Sequence, residues 1–187
     1  MIIGITGHAR HGKDSIADVL VRCCSFRKDA LAEPMKAVMR IVFPTWTDDH
    51  LYGRLKDIVD PVYGVSPRHA LQSFGTQWAQ QELSKYDSFR DTTGRLIWVR
   101  GLLARHKGGN LAVSDVRFPH EVDELRKAGA IILMVRRPGY PVDMSHESEQ
   151  GVEEIKPDYV IRNGGTLDCL ADEVRKFCAE MGIPFWV

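Results

Sequence analysis

The sequence predicts an α/β fold of three layers: a mostly parallel five-stranded sheet flanked by helices. Three observations carry that reading. The first is an apolar run, Met1-Ile2-Ile3-Gly4-Ile5-Thr6, then Gly7-His8-Ala9-Arg10-His11-Gly12-Lys13-Asp14-Ser15, then apolar positions at Ile16, Ala17, Val19, Leu20 and Cys23. This is a strand, a glycine-bounded loop and an amphipathic helix. The second is the run Ala130 to Val135, apolar throughout, as a strand covered on both faces must be. The third is the alternation of strand-like and helix-like stretches, which builds parallel sheets with ligands at the strands' carboxyl ends.

The loop between the first strand and helix has the spacing G-x-x-x-x-G-K. Gly7 and Gly12 let the backbone close around an anion without β-carbon clashes. The amides of the loop converge on phosphates at the positive end of the helix, and Lys13 reaches them as a point charge. Nucleotide binding follows. His8 and His11 are expected to face solvent, and Lys13 to be an exposed loop residue that supports no core. After the lysine stands Asp14, where a hydroxyl is usual, and the hydroxyl comes one place later at Ser15. Asp14 has two readings: a first-turn acid favoured by the helix dipole, or a group that holds Mg²⁺ through water.

The remaining elements follow in order. Ser25 to Leu31 reads as a second strand, and Leu31-Ala32-Glu33-Pro34-Met35-Lys36 turns into a helix with an apolar face at Met35, Val38, Met39 and Val42. Trp46, Leu51, Tyr52 and Leu55 suggest a short helix before the break at Asp60-Pro61. Ser66 is an N-cap with Pro67 in the first turn, opening a helix through Ala70, Leu71, Phe74, Trp78 and Leu83. Gly75 inside that helix marks either a close helix crossing or the approach of a ligand. Residues 85–94 read as a polar connection and 96–106 as another helix. Residues 110–114 form a strand ending at Asp115, and Pro119 to Ala128 a helix closed by Gly129. Arg136 to Lys156 is polar and broken by Pro and Gly. Tyr159 to Ile161 is a last strand and Thr166 to Met181 a last helix.

Lys plus Arg and Asp plus Glu are 25 each, so no net charge draws the chain to nucleic acid or to an anionic membrane. The cysteines, Cys23, Cys24, Cys169 and Cys178, lack C-x-x-C or zinc-ligand spacing and fit a reducing cytoplasm. The first apolar run is too short for a signal peptide, and no stretch approaches a membrane span. A single domain over 1–187 is expected. Nucleotides are the expected partners, and a homodimer stays open.

Seven stretches occur in one order: the Gly-Lys-Asp-Ser loop, Leu31 to Lys36, Arg68 with Gly75-Thr76, Asp115-Val116-Arg117-Phe118-Pro119-His120-Glu121, Arg137-Pro138-Gly139, His146-Glu147-Ser148-Glu149 and Asp158 with Asn163-Gly164-Gly165-Thr166-Leu167. Together they resemble the phage-type deoxynucleoside monophosphate kinases, a branch of the P-loop nucleoside monophosphate kinases. The resemblance covers nearly the whole chain and is weakest at 44–60. It implies the P-loop kinase fold, with a helical acceptor-binding region at about 44–105 and a lid at about 136–157. It also implies transfer of the ATP γ-phosphate to a deoxynucleoside 5′-monophosphate with Mg²⁺, in the cytoplasm, the host's if the chain is of phage origin.

By that resemblance Arg10, His11, Gly12, Lys13, Asp14 and Ser15 hold the ATP phosphates. Asn163, Gly164 and Thr166 pass beside the adenine, and Asp14 and Ser15 attend the metal. Lys36, Arg68, Gly75, Thr76, Trp98, Asp115, Arg117 and Glu121 bind the acceptor, while Lys13, Asp115 and Arg137 serve the transfer itself. Asp115 and Glu121 read otherwise as helix-capping acids, and Trp98 as core. For His146 and Glu149 a surface capping cluster is expected over a metal site or pH switch. The rival readings are a dephospho-coenzyme A or phosphomevalonate type of kinase and a non-catalytic nucleotide-binding regulator.

Overall fold

The computed structural model describes residues 1–144 and 147–186, so His146 lies outside the described residues. The elements are β1 (Ile2–Thr6), α1 (Lys13–Cys24), β2 (Arg27–Asp29), α2 (Glu33–Val42), α3 (Asp48–Leu51), α4 (Pro67–Gln72), α5 (Asp87–Thr92), α6 (Ile97–Arg105), β3 (Leu111–Val116), α7 (Pro119–Lys127), β4 (Ala130–Arg136), α8 (Glu147–Glu153), β5 (Tyr159–Arg162) and α9 (Leu167–Glu180). They fall into two compact units, one of Met1–Leu31 with Leu102–Val187 and one of Ala32–Gly101. Among the described residues no helix is long and apolar enough to cross a membrane.

The first unit holds a five-stranded sheet in the order β2-β3-β1-β4-β5, with every pairing parallel. Its centre, β1, is buried at every residue, which is why Ile2 to Thr6 carries no polar alternation. Ile3 and Ile5 point to one face, where they join Ile16 and Leu20 of α1 and Leu170, Val174 and Phe177 of α9. On the other face a β-carbon at Gly4 would touch Leu125 of α7 at 3.3 Å. Sheet and helices therefore make the three layers that the alternation of apolar runs predicts. Because the strands run in parallel, β1, β3 and β4 deliver their carboxyl ends to one edge.

In the second unit Met39, Trp46, Leu51 and Leu71 form a small core. Phe43 stacks on Trp46 at 4.0 Å, and Trp46 Nε1 donates to the Asp60 carboxylate at 3.0 Å. Ser66 caps α4 by accepting from the His69 amide. The helix then widens into a π-helical stretch over Ser73–Glu82. The polar connection expected at 85–94 instead contains α5. Its support is local and polar: Arg90 pairs with Asp87 at 2.9 Å, and Thr92 Oγ1 donates back to the Ser88 carbonyl at 2.6 Å. Such bonds leave no apolar period to read.

Candidate active site

The loop after β1 is shaped by its neighbours. Thr6 pairs with Met134, so Gly7 comes beside Val135. A β-carbon at Gly7, whose φ is +139°, would stand 2.4 Å from the Val135 carbonyl oxygen. At Gly12, with φ +106°, it would stand 2.6 Å from Asn163 Nδ2. No side chain caps the start of α1, which leaves the first-turn amides turned toward the loop's mouth. Arg10 holds a left-handed φ of 62° at the loop's tip.

Lys13 is not an exposed loop residue; only 7% of it meets solvent. Its ammonium donates to the carbonyls of Gly7 and His8, both at 2.7 Å, because the loop turns those oxygens inward. Burial, and then the nearby Arg117 charge, push its pKa down to about 7.

The β3 edge carries the acids. Pairing between β1 and β3 slips between Gly4 and Thr6, a bulge of the kind that re-aims side chains near sites. Asp115 accepts the Leu31 amide at 2.7 Å, while Ser114 donates to Asp14 at 3.1 Å. Asp14 also pairs with Lys28 at 2.9 Å. The Asp14 side chain is largely exposed; desolvation at the start of α1 opposes its charge, but Lys28 and Ser114 hold its pKa below the usual carboxylate value. Arg117 reaches the Gly7 carbonyl at 3.3 Å. Glu121 is turned into its own turn, accepting the amides of Arg117 and Phe118 at 2.8 and 3.1 Å. Burial pushes its pKa up to about 7 despite those bonds.

Beyond β4 and β5 lies a cavity of about 280 Å³ lined by Arg137, Pro138, Gly139, Tyr140, Asn163, Gly164 and Gly165. The structure thus brings Arg137 and the Asn163-Gly164 turn around one space, with the Arg137 guanidinium 4.9 Å from the Tyr140 ring. Thr166 caps α9, accepting from the Cys169 amide at 3.3 Å. Ser15 lines a different cavity, with Asp18, Arg22 and Leu167 among its walls.

The two loop histidines do not face solvent: His8 is 6% exposed and His11 4%. His8 is covered by α8, and His11 sits against Tyr140 and the Arg137 amide. His8 Nδ1 lies 3.1 Å from Glu149 Oε2, and His8 Nε2 2.6 Å from Glu153 Oε1. His11 Nδ1 accepts the Arg137 amide at 3.4 Å, while its Nε2 is buried with no hydrogen-bond partner among the described residues. Burial, and then His8, hold the His11 pKa low. Glu149 is likewise no surface cap. Its carboxylate accepts the Ala9 amide at 3.1 Å and pairs with Arg117. The one signal in the sequence is the four-residue spacing of Glu149 and Glu153, which puts both carboxylates on one helix face.

Lys36, Arg68, Gly75, Thr76 and Trp98 all belong to the second unit. The Lys36 ammonium pairs with Glu33 at 2.8 Å and sits 3.9 Å over the Tyr52 ring. Arg68 grips Asp57 through two nitrogens. A β-carbon at Gly75 would stand 2.3 Å from Met35 Sδ, so its close approach is a crossing with α2. Trp98 Nε1 donates to the Gly75 carbonyl at 2.8 Å, and Thr76 is buried next to it.

The family model for deoxynucleotide monophosphate kinase matches residues 65–174, more than half of this chain. The chain belongs to the deoxynucleotide monophosphate kinase family. It is 28% identical over 182 residues to a protein of Acanthamoeba polyphaga mimivirus named "Putative deoxynucleotide monophosphate kinase", with 90% of this chain and 91% of that one covered. It is 27% identical over 131 residues to the deoxynucleotide monophosphate kinase of Enterobacteria phage T4, with 66% of this chain and 50% of that one covered. Within this kinase family the loop, the all-parallel sheet and the buried Lys13 define a P-loop kinase fold. The family match takes in the β3 edge, the Arg137 turn after β4 and the Asn163 turn, and begins after the loop that follows β1.

Proposed function

We propose that the protein transfers the γ-phosphate of ATP, with Mg²⁺, to deoxynucleoside 5′-monophosphates. The observation that carries this reading is the loop. Both of its glycines stand where a β-carbon would strike Val135 or Asn163, and a buried lysine and Arg117 lie against its carbonyls. Such a cradle suits phosphate oxygens. The Arg137–Asn163 cavity on the same sheet edge suits the adenine and the lid arginine.

The residues also fit Mg²⁺. Asp14 and Ser15 offer hard oxygens at the start of α1, and Mg²⁺ needs only one or two protein carboxylates when phosphates and water complete its shell. Among the described residues no group of three or more His, Cys, Asp or Glu could hold a metal ion. When bound, the ion would neutralise charge on the triphosphate. No protein nucleophile is required, since catalysis is positioning plus charge stabilisation. Lys13 and Arg137 meet the charge of the transferring group, Arg117 and Asp115 the acceptor side. Arg68, now forked on a carboxylate, has the geometry that grips a phosphate.

Lys13→Ala tests the reading. Acceptor-dependent ATP consumption should fall on the order of 10³-fold or more while circular dichroism stays native. Transfer within about threefold of the unsubstituted protein, well short of such a loss, rejects it.

A further inference from the structure

The phosphate loop already holds an anion. Glu149 Oε2 accepts the Ala9 amide at 3.1 Å and lies 3.1 Å from His8 Nδ1. Its Oε1 pairs with Arg117, which also reaches the Gly7 carbonyl. A backbone amide, a guanidinium and an imidazole converging on one anion are the donors that a phosphate oxygen takes from such a loop. The Glu149 side chain is only 12% exposed. Burial favours its neutral form, yet Arg117, the Ala9 amide and His8 outweigh burial and keep it charged. A second tie holds the same helix down: Glu153 Oε1 lies 2.6 Å from His8 Nε2, and Glu153 Oε2 is 3.6 Å from Arg136.

We propose that Glu149 is an internal anion that occupies the phosphate seat of the ligand-free protein and yields it to the nucleotide's phosphates, so that α8 leaves the loop as nucleotide enters. This rests on the reading of the loop as a phosphate site. Two anions cannot share Ala9 and Arg117, because one amide hydrogen serves one of them and their charges repel at contact distance. The exchange keeps the buried cations neutralised at every stage, first by Glu149 and then by phosphate. Glu149 is thus a positioning residue: it keeps the loop shaped for an anion and makes lid position depend on what fills the loop.

Glu149→Gln in the full chain keeps the shape and removes the competing charge. Isothermal titration with inorganic tripolyphosphate should then show binding about fivefold tighter or more than in the unsubstituted protein. Glu153→Gln, which loosens only the second tie and leaves the Glu149 charge in the seat, should tighten binding less than Glu149→Gln does. A residue that merely braced the loop would give the opposite result, because its loss loosens the seat. Unchanged or weaker binding by Glu149→Gln overturns the proposal, as does failure of either protein to bind tripolyphosphate. Hydrogen exchange on the unsubstituted protein supplies a readout independent of the variant's folding. Tripolyphosphate should speed exchange across 147–153, and unchanged or slower exchange there overturns the proposal. Tripolyphosphate has neither base nor sugar, so the kinase reading is judged separately, by acceptor-dependent ADP release.

Discussion

Asn163 occupies the space that a side chain at Gly12 would need. Its Nδ2 donates to the His11 carbonyl at 2.9 Å and would lie 2.6 Å from a β-carbon on Gly12. The turn after β5 is thereby tied to the loop after β1, and the Arg137–Asn163 cavity and that loop share one hydrogen-bonded frame.

Gly12→Ala should therefore lose about 1–3 kcal/mol from backbone strain at positive φ, with the clash against Asn163 added. Adding Asn163→Ala removes the clash but not the strain. Urea unfolding should show the double variant more stable than the sum of the two single effects. Strict additivity would mean that the two residues do not meet as described.

Asp14→Asn separates the metal reading from the helix-end reading. The amide can still accept from Ser114, and Lys28 keeps Asp18 at 3.0 Å, so little stability should be lost. The Mg²⁺ concentration for half-maximal activity should rise. A Mg²⁺ titration that superimposes on that of the unsubstituted protein, with a lowered melting temperature, would leave Asp14 a first-turn acid only.

Glu121 gives a pH signature. Its pKa is raised from 4.5 to about 7, so between those values the folded protein binds a proton that the unfolded chain does not. Stability therefore falls as pH rises from about 4.5 to about 7, and its contribution is flat above and below. Glu121→Gln should remove that slope. Chemical denaturation across this range checks it, and an identical slope in both proteins would contradict the assignment.

The sequence makes the strand, loop and helix at the start legible because glycine spacing and a central apolar run are local signals. The same holds for β4 and for the Ser66 cap, where Ser-Pro marks a helix start. Other features are invisible to such signals. The π-helical stretch at Ser73–Glu82 has the same apolar residues as an α-helix, and the period alone does not separate the two. Polar loop histidines read as solvent-facing because loops lie on surfaces, yet α8 covers His8, and the Arg137–Tyr140 segment lies against His11. Glu149 meets Ala9 across 140 positions of sequence, and no periodicity registers such a contact. For the same reason Lys13 reads as exposed: its partners are carbonyls that every residue type possesses.

The central claim is met most directly by following ADP and deoxynucleoside diphosphate together, with ATP and Mg²⁺ present and each deoxynucleoside 5′-monophosphate added in turn. The expected result is that both products appear in equal amounts with at least one of these acceptors and that ADP does not form without one. ATP hydrolysis independent of the acceptor, or no diphosphate from any deoxynucleoside monophosphate, would contradict it.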